Sequence, residues 1–274
     1  MADSNINRIV SMAKRMRRNI LDISFACNGS AHLGGGLSMV EIMAVLYGAV
    51  LRFRAGEPEW EDRDRFILSK GHGVLGYYPA LLEAGFISKE TFETFKKNDS
   101  DLIAHPVMNL KLGIESSNGS LGHGLSLGVG LAWAAKQKGK RHQIYVMMGD
   151  GECNEGSVWE AAMSAAHYSL NNLTAIIDFN KLQSDGASEK VLNSDGLPDK
   201  WRAFRWNTIE VDGHDIPQLL EAFALGRESS GPTAIVAHTV KGKGVSFMEN
   251  NNDWHHNRLT KATYEQALAE IGGN

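Results

Sequence analysis

Two short apolar runs separated by a helical pattern form the most regular stretch of this sequence. Residues 144–148 and 173–179 have the length and composition of buried β-strands. Between them, Val158, Ala161 and Ala165 recur at helical spacing and predict a helix. A strand–helix–strand unit predicts a right-handed crossover between parallel strands. The carboxyl ends of such strands meet at one edge of the sheet, where open α/β sheets bind their ligands.

The same kind of pattern continues through the rest of the chain. Strands are predicted over 64–69, 207–211 and 233–238, and helices over 4–26, 39–50, 74–84, 125–138, 195–206 and 215–227. We therefore predict an α/β fold with a mostly parallel sheet flanked by helices. No internal repeat or low-complexity linker interrupts the pattern, which predicts a single domain over residues 1–274.

Several local signals predict how these elements begin and connect. The three glycines Gly34–Gly36 predict a loop whose backbone approaches another group closely. Ser38 and Glu41 have the spacing of a capping box and predict the start of the helix over 39–50. Asp215 is the predicted N-cap of the helix over 215–227, and we assign the neighbouring His214 a structural role.

Composition excludes several classes of protein. With 28 Lys plus Arg against 32 Asp plus Glu, the net charge of −4 gives no sign of nucleic-acid binding. No run approaches the roughly 20 apolar residues of a membrane span, and the basic, amphipathic N-terminus lacks the apolar core of a signal peptide. We interpret it as a solvated surface helix, with a membrane-surface helix as the alternative. Two cysteines cannot form a disulfide framework, which fits a cytoplasmic protein.

Polar residues follow both strands of the central unit. The first strand ends on Gly149-Asp150-Gly151, where two glycines allow a sharp turn close to a ligand, and the second ends on Asn180. A carboxylate and an amide oxygen side by side suit Mg²⁺ or Ca²⁺ rather than zinc. Because two protein groups are too few for a closed cage, we infer a metal-bridged phosphate ligand. The alternative is a tight turn with a capping Asn.

This Gly-Asp-Gly segment followed about thirty residues later by Asn resembles the thiamine diphosphate fingerprint, and its surroundings resemble the transketolase family. The resemblance implies that the side chains of Asp150 and Asn180 and the backbone carbonyl of Leu182 hold Mg²⁺ on the diphosphate of the cofactor. It also assigns cofactor contacts to the neighbours of Asp150, namely Gly149, Gly151 and Glu152.

Four histidines stand in segments that resemble family motifs. His32, before the three glycines, matches a loop histidine that faces the sugar substrate, with an ordinary loop residue as the alternative. His72, in Ser-Lys-Gly-His, matches one that approaches the diphosphate and the reaction centre, with a helix cap as the alternative. His105 matches a Gly-His-Pro-Glu segment, although the family's Glu is replaced here by Val107. His255 matches a histidine that contacts the diphosphate, and His256 is the competing choice.

Three further segments carry a resemblance. Residues 119–124 resemble the family's Gly-Pro-Leu-Gly-Gln-Gly motif, which implies that Gly119 and Leu121 contact the cofactor. Within that motif His123 replaces Gln, and it is either part of the site or only a polar residue at a helix start. Glu155 matches a Glu that couples the two sites of the family's dimer. Residues 241–244 match a loop that closes over the cofactor.

The resemblance covers residues 10–258 but only half of a transketolase. The family's activating Glu belongs to a pyrimidine-binding domain that has no counterpart in this sequence. The resemblance therefore implies the N-terminal subunit of a split transketolase, which transfers a ketol unit from a sugar phosphate and is active only with a C-terminal partner subunit, two of each. The alternatives are an inactive cofactor-binding module and a subunit of a related enzyme that acts on a modified ketose. A Mg²⁺-dependent phosphohydrolase built on Asp150 is disfavoured, because such enzymes cluster carboxylates.

Overall fold

A computed structural model describes residues 2–193 and 195–272 of the chain. Its helices are α1 (Ala2–Ala26), α2 (Leu33–Leu37), α3 (Val40–Val45), α4 (Val74–Glu83), α5 (Lys89–Phe92), α6 (Gly124–Gln137), α7 (Gly156–His167), α8 (Ser188–Val191), α9 (Leu197–Ala203), α10 (Ile216–Glu228) and α11 (Lys261–Gly272). Within these residues no helix is both long enough and apolar enough to cross a membrane.

The strands form one five-stranded sheet. They are β1 (Arg65–Leu68), β2 (Ile144–Gly149), β3 (Leu173–Phe179), β4 (Asn207–Asp212) and β5 (Thr233–His238). Their order in the sheet is β1-β2-β3-β5-β4, and every neighbouring pair is parallel. The predicted α/β class with a mostly parallel, helix-flanked sheet is therefore confirmed.

Helices cover both faces of this sheet. Tyr145 and Met147 of β2 pack into a core shared with α1, α3, α4 and α10. The alternate residues Ile144 and Val146 pack on the other face against α6, α7 and α9. Because both faces are buried, the central strands contain continuous apolar runs rather than an alternating pattern.

The predicted loop at the three glycines is wrong, because this segment is the short helix α2. The glycines serve close packing instead of flexibility. A Cβ atom on Gly36 would lie 2.7 Å from Cβ of Leu75 in α4, so a larger residue would push the two helices apart.

The predicted capping box is also wrong. Helix α3 has Met39 at its N-cap, without a side-chain cap, and it continues into a π-type turn over Leu46–Val50. The Ser38 hydroxyl donates to the carbonyl of Gly35 and to a carboxylate of β3, Asp178. The Ser38 side chain therefore makes a tertiary contact with Asp178 instead of the helix cap that the local pattern predicted.

At the start of α10 the local prediction is confirmed. The Asp215 carboxylate accepts a hydrogen bond from the backbone N–H of Gln218 at 3.0 Å. The adjacent His214 has the predicted structural role, since its Nδ1 lies 2.9 Å from a Glu41 carboxylate oxygen and its Nε2 accepts from the N–H of Val240.

Candidate active site

A cavity of about 330 Å³ opens at the carboxyl ends of β2 and β3. The two strands are neighbours, with Gly149 paired to Asp178, so the segments that follow them lie side by side. Asp150 and Asn180 both line this cavity, as the sequence predicted for residues at the ends of parallel strands. Leu182 lies in its wall as well.

Asp150 is a buried carboxylate in an environment that disfavours its charge. Burial raises its pKa to about 6, a hydrogen bond from the Ser188 hydroxyl at 2.8 Å opposes this shift, and the nearby charge of Asp178 adds to it. A cation bound beside this carboxylate would stabilise its charged form.

The Asn180 amide is held in one orientation. Its Nδ2 donates to Asp178 at 3.2 Å, and its Oδ1 accepts from the N–H of Leu182 at 3.1 Å. The oxygens of Asp150, of Asn180 and of the Leu182 carbonyl are the hard donors that Mg²⁺ or Ca²⁺ takes.

The fit of a phosphate-bearing ligand can be judged from two features. Within the described ranges, no group of three or more His, Cys, Asp or Glu side chains could hold a metal ion, so a cation here needs oxygens from a ligand or water. In addition, the Nε2 of Gln183 is buried in the cavity wall without a hydrogen-bond partner among these residues. An orphaned donor beside the oxygen ligands fits an anionic ligand.

A fully buried aspartate organises the ends of the strands. Asp178 accepts hydrogen bonds from Ser38, Lys70, Asn180 and Thr239. Burial alone would raise its pKa, but the Lys70 ammonium and the hydrogen bonds outweigh burial and hold the pKa below its usual range. Sequence reasoning missed this residue, because it sits inside an apolar run and gives no local signal.

A buried glutamate has a similar role between loops. The Glu152 carboxylate accepts from the Ser69 hydroxyl, from the N–H of Gly122 at 2.8 Å and from the N–H of Gly149 at 3.1 Å. Burial raises the pKa of Glu152, although these hydrogen bonds favour its charged form. Glu152 lines the cavity, yet its carboxylate joins three of the surrounding loops to one another.

A cluster of histidines borders the cavity. The ring centroid of His32 lies 5.1 Å from that of His72, 6.0 Å from His105, 5.4 Å from His255 and 4.4 Å from His256. The structure thus brings together all four histidines predicted for the site. Of the two competing residues, His255 lines the cavity, whereas His256 is exposed and lines a separate small pocket together with His32.

Burial keeps the clustered rings neutral. It lowers the pKa of His32 to about 3 and that of His255 to about 4, with neighbouring positive groups adding to both shifts. It also lowers the pKa of His72 well below its usual value and that of His105 to a lesser degree. Neutral imidazoles can both donate and accept hydrogen bonds, as residues that hold sugar hydroxyls or move protons must.

Glycine at position 71 lets His72 reach the cavity. A Cβ on Gly71 would lie 2.2 Å from the carbonyl oxygen of Asn118, so no other residue fits between β1 and that loop. The predicted presentation of His72 by the preceding glycine therefore has a steric basis.

The remaining predicted site residues fall into two groups. Leu121 and Glu155 are exposed at the rim of the cavity, beside Gly149 and Gly151. Gly119 lies instead in a second, open cavity of about 740 Å³, together with His105 and His123. His123 is exposed, and its Nδ1 is 3.0 Å from the carbonyl of Leu121.

Lys241 is a site residue whose role the sequence did not reveal beyond its place in a closing loop. Its Nζ contacts the carbonyls of Leu182 and Gln183, the Asn252 side chain and the His255 ring. Burial lowers its pKa to about 8.

The fold and the cavity together define an α/β domain with a candidate anion-binding cavity at the carboxyl ends of its strands. The sequence matches the family described as "Transketolase, thiamine diphosphate binding domain" over residues 10–274. The chain therefore belongs to the transketolase family, as the sequence motifs predicted.

Relatives of similar length include proteins that are named as transketolase subunits. One of them, from Phocaeicola vulgatus, is a named subunit of apulose-4-phosphate transketolase and is 40% identical over 260 residues, which cover 94% of this chain and 92% of the relative. A subunit of 6-deoxy-6-sulfo-D-fructose transketolase from Clostridium sp. is 38% identical over 244 residues, which cover 89% of each chain.

Complete transketolases match over a smaller part of their length. Human transketolase is 38% identical over 260 residues, which cover 94% of this chain but 41% of the enzyme. The solved transketolase of Leishmania mexicana superimposes with a TM-score of 0.89 at 30% identity, and the match covers 96% of this chain and 41% of that one. The chain thus spans about two fifths of the length of these enzymes.

Proposed function

We propose that this chain is the cofactor-binding subunit of a two-chain transketolase, which moves a two-carbon ketol unit from a ketose to an aldose with thiamine diphosphate and Mg²⁺. One observation carries the proposal: the oxygens of Asp150, Asn180 and Leu182 lie in the same cavity as His72 and His255. This supports a site at which one ligand would meet both metal-binding oxygens and neutral imidazoles.

One set of residues in this chain would bind the cofactor, and another set would bind the sugar and transfer protons. Asp150, Asn180 and the Leu182 carbonyl would hold Mg²⁺ on the diphosphate, and Gln183 would donate to one of its oxygens. When bound, thiamine diphosphate supplies the carbon nucleophile and the electron sink needed to break and form a bond beside a carbonyl. His32, His72 and His105 would hold the hydroxyls of the sugar and transfer protons, which neutral imidazoles can do in either direction.

A partner subunit is part of the proposal. Two relatives of the same length are named as subunits, and the chain spans two fifths of a complete transketolase. The exposed rim of the cavity carries apolar side chains, Leu121, Val191 and Leu192, which a docked chain would bury. We infer that a chain with a pyrimidine-binding domain covers this edge and supplies the activating Glu, in an assembly of two plus two.

The substrate of the pair is a ketose phosphate or a modified ketose. The named relatives act on apulose 4-phosphate and on a sulfonated fructose, so relatives of this length differ in their sugars. A panel of ketoses that carry phosphate or sulfonate at the far end would identify the donor. Ketol transfer by the assembled pair, measured with an aldose phosphate acceptor, is the expected result.

The decisive experiment compares the chain alone, its partner alone and the assembled pair, with cofactor and Mg²⁺. We expect turnover only for the pair and its loss in Asp150→Ala. Asp185→Ala is the matched control, since Asp185 is an exposed acid on the neighbouring loop. If the pair binds the cofactor but transfers no ketol unit from any donor, the chain is an inactive cofactor-binding module. Full turnover by the chain alone would refute the need for a partner.

A further inference from the structure

Lys241 is a buried cation without a carboxylate in hydrogen-bond contact. The residue is only 1% exposed, and none of the ion pairs among the described residues includes it. Burial of an ammonium group costs free energy unless its hydrogens are donated to hydrogen-bond acceptors. Here they meet the carbonyls of Leu182 and Gln183 at 3.3 and 3.2 Å, Asn252 Oδ1 at 3.2 Å and His255 Nδ1 at 2.8 Å.

The lysine side chain has little freedom to move. Its stem lies against Gly34 at the start of α2, where a Cβ atom would be 3.0 Å from Cγ of Lys241. The N–H of Gly242 donates to the carbonyl of Gly34 at 3.0 Å, which fixes the backbone on the same side. These two contacts with Gly34 therefore hold the Lys241 ammonium next to the His255 ring.

This contact determines which ring nitrogen of His255 carries the hydrogen. A lysine ammonium has three hydrogens and no lone pair, so a nitrogen that it contacts at 2.8 Å must be the accepting one. Nδ1 is then unprotonated, and the hydrogen of the neutral ring is on Nε2. Nε2 has no hydrogen-bond partner in the described part of the chain, while the ring lines the cavity.

We propose that Lys241 is a positioning residue that locks His255 as its Nε2–H tautomer, so that the ring presents a donor to the oxygens of the bound cofactor. The opposite tautomer would aim a lone pair at an anionic diphosphate and repel it. This inference rests on the proposed function for the identity of the ligand, but the state of the ring is a property of the chain itself.

The contact between Lys241 and His255 is compatible with a metal bound at the Leu182 carbonyl. Four acceptors surround three hydrogens, and the Leu182 carbonyl is the most distant of the four. That carbonyl is the one proposed to bind the metal. If that carbonyl held a metal, the three hydrogens of Lys241 would still have three acceptors, among them His255 Nδ1.

The first test is ring-nitrogen NMR on the isolated chain, without cofactor and with a chelator. We expect a pyrrole-type signal for Nε2 of His255 and a pyridine-type signal for Nδ1, assigned by their loss in His255→Asn. In Lys241→Met the signals should move toward the averaged positions of an exposed histidine such as His256, because both tautomers become populated. Lys241→Arg should keep the wild-type pattern, since a guanidinium is also a donor only.

Lys243→Met is the matched control, because that lysine lies two residues further along the same loop and pairs with Glu249, away from His255. An Nδ1–H signal in the wild-type chain would overturn the inference without the use of any variant. Unchanged His255 signals in a folded Lys241→Met chain would overturn it as well.

The second test is calorimetric titration with inorganic diphosphate and Mg²⁺. We expect Lys241→Met and His255→Asn each to weaken binding about tenfold, and the double variant to be no weaker than either, because the two residues act through one contact. Additive losses would mean that Lys241 binds the anion directly, and would reject the positioning role. Failure of the assembled pair to transfer ketol units would refute the proposed function and leave the NMR result intact.

Discussion

The hydroxyl of Ser69, directly after β1, donates a hydrogen bond to the carboxylate of Glu152, just beyond the end of β2. The same carboxylate accepts the backbone N–H groups of Gly122 and Gly149. Three segments that border the cofactor cavity are thus joined through one buried side chain. Their relative positions depend on this contact and not on the sheet alone.

Glu152→Ala should destabilise the chain and weaken cofactor binding together. The change leaves two backbone N–H groups and a hydroxyl without their acceptor, which costs about 2–4 kcal/mol in the free energy of unfolding. Urea denaturation of the isolated chain measures the loss, and titration with thiamine diphosphate measures the binding. Glu160→Ala, on the exposed face of α7, is the control and should change neither quantity. A stable Glu152→Ala chain with intact binding would show that the loops are positioned by other contacts.

Asp150→Asn should stabilise the metal-free chain while it removes metal-dependent binding. Burial raises the pKa of Asp150 to about 6, so its charge is unfavourable in the folded state at neutral pH. The neutral amide avoids this cost, and we expect a gain of about 1–3 kcal/mol at pH 8 with a chelator present.

The gain in stability from Asp150→Asn should increase with pH. At about pH 4 Asp150 is protonated in the folded chain and about half protonated in the unfolded chain, so the advantage of Asp150→Asn should be small there. It should grow between about pH 4 and 6, where the unfolded chain ionises Asp150 before the folded chain does, and it should reach its full size above about pH 6. Thermal unfolding from pH 4 to 8 measures the difference, with Asp185→Asn as the control. An equal difference at every pH would contradict this account.

The centre of the sheet could be predicted from sequence because β2, β3 and β5 are buried on both faces. The apolar runs 173–179 and 233–238 coincide with β3 and β5 to the residue. The glycine run before α3 was misinterpreted, since the sequence cannot distinguish glycines that bend the backbone from glycines that let helices touch. The capping prediction failed for a related reason: Ser38 has its partner in Asp178, 140 residues away.

In the candidate site as well, residues with a local sequence signal could be predicted and residues that depend on distant partners could not. Asp150 and Asn180 could be predicted, because each follows an apolar strand directly and parallel strands bring their ends together. Asp178 and Lys241 could not be assigned roles, because their partners come from segments that are distant in sequence. Buried polar networks of this kind become visible only when the chain has folded.

Lys70→Met should cost more stability than its double variant with Asp178→Asn. Removal of the lysine leaves the fully buried Asp178 carboxylate without its ion-pair partner, which costs about 3–5 kcal/mol. Neutralising the aspartate as well removes the uncompensated charge, so the double variant should recover part of the loss. Urea denaturation at pH 7 measures both, with Lys89→Met on the exposed surface of α5 as the control. Additive losses would show that the two side chains act independently.

His32→Asn should make the chain less sensitive to acid. Burial and neighbouring positive groups lower the pKa of His32 to about 3, far below the value of about 6.5 that holds in an unfolded chain. At pH 7 the ring is neutral in both states, so His32 adds no pH dependence there. As the pH falls below 6.5, the unfolded chain binds a proton that the folded chain does not bind, and stability is lost progressively toward pH 3.

The His32→Asn variant has no such ring to protonate. It should lose about 1–2 kcal/mol less stability than the wild type between pH 6.5 and 4, a figure reduced for the partial exposure of the ring. Denaturation curves at intervals of half a pH unit measure this difference, and His167→Asn, at the exposed end of α7, is the control. If His32→Asn and the wild type lose stability in parallel on acidification, the ring of His32 is not held neutral by its surroundings.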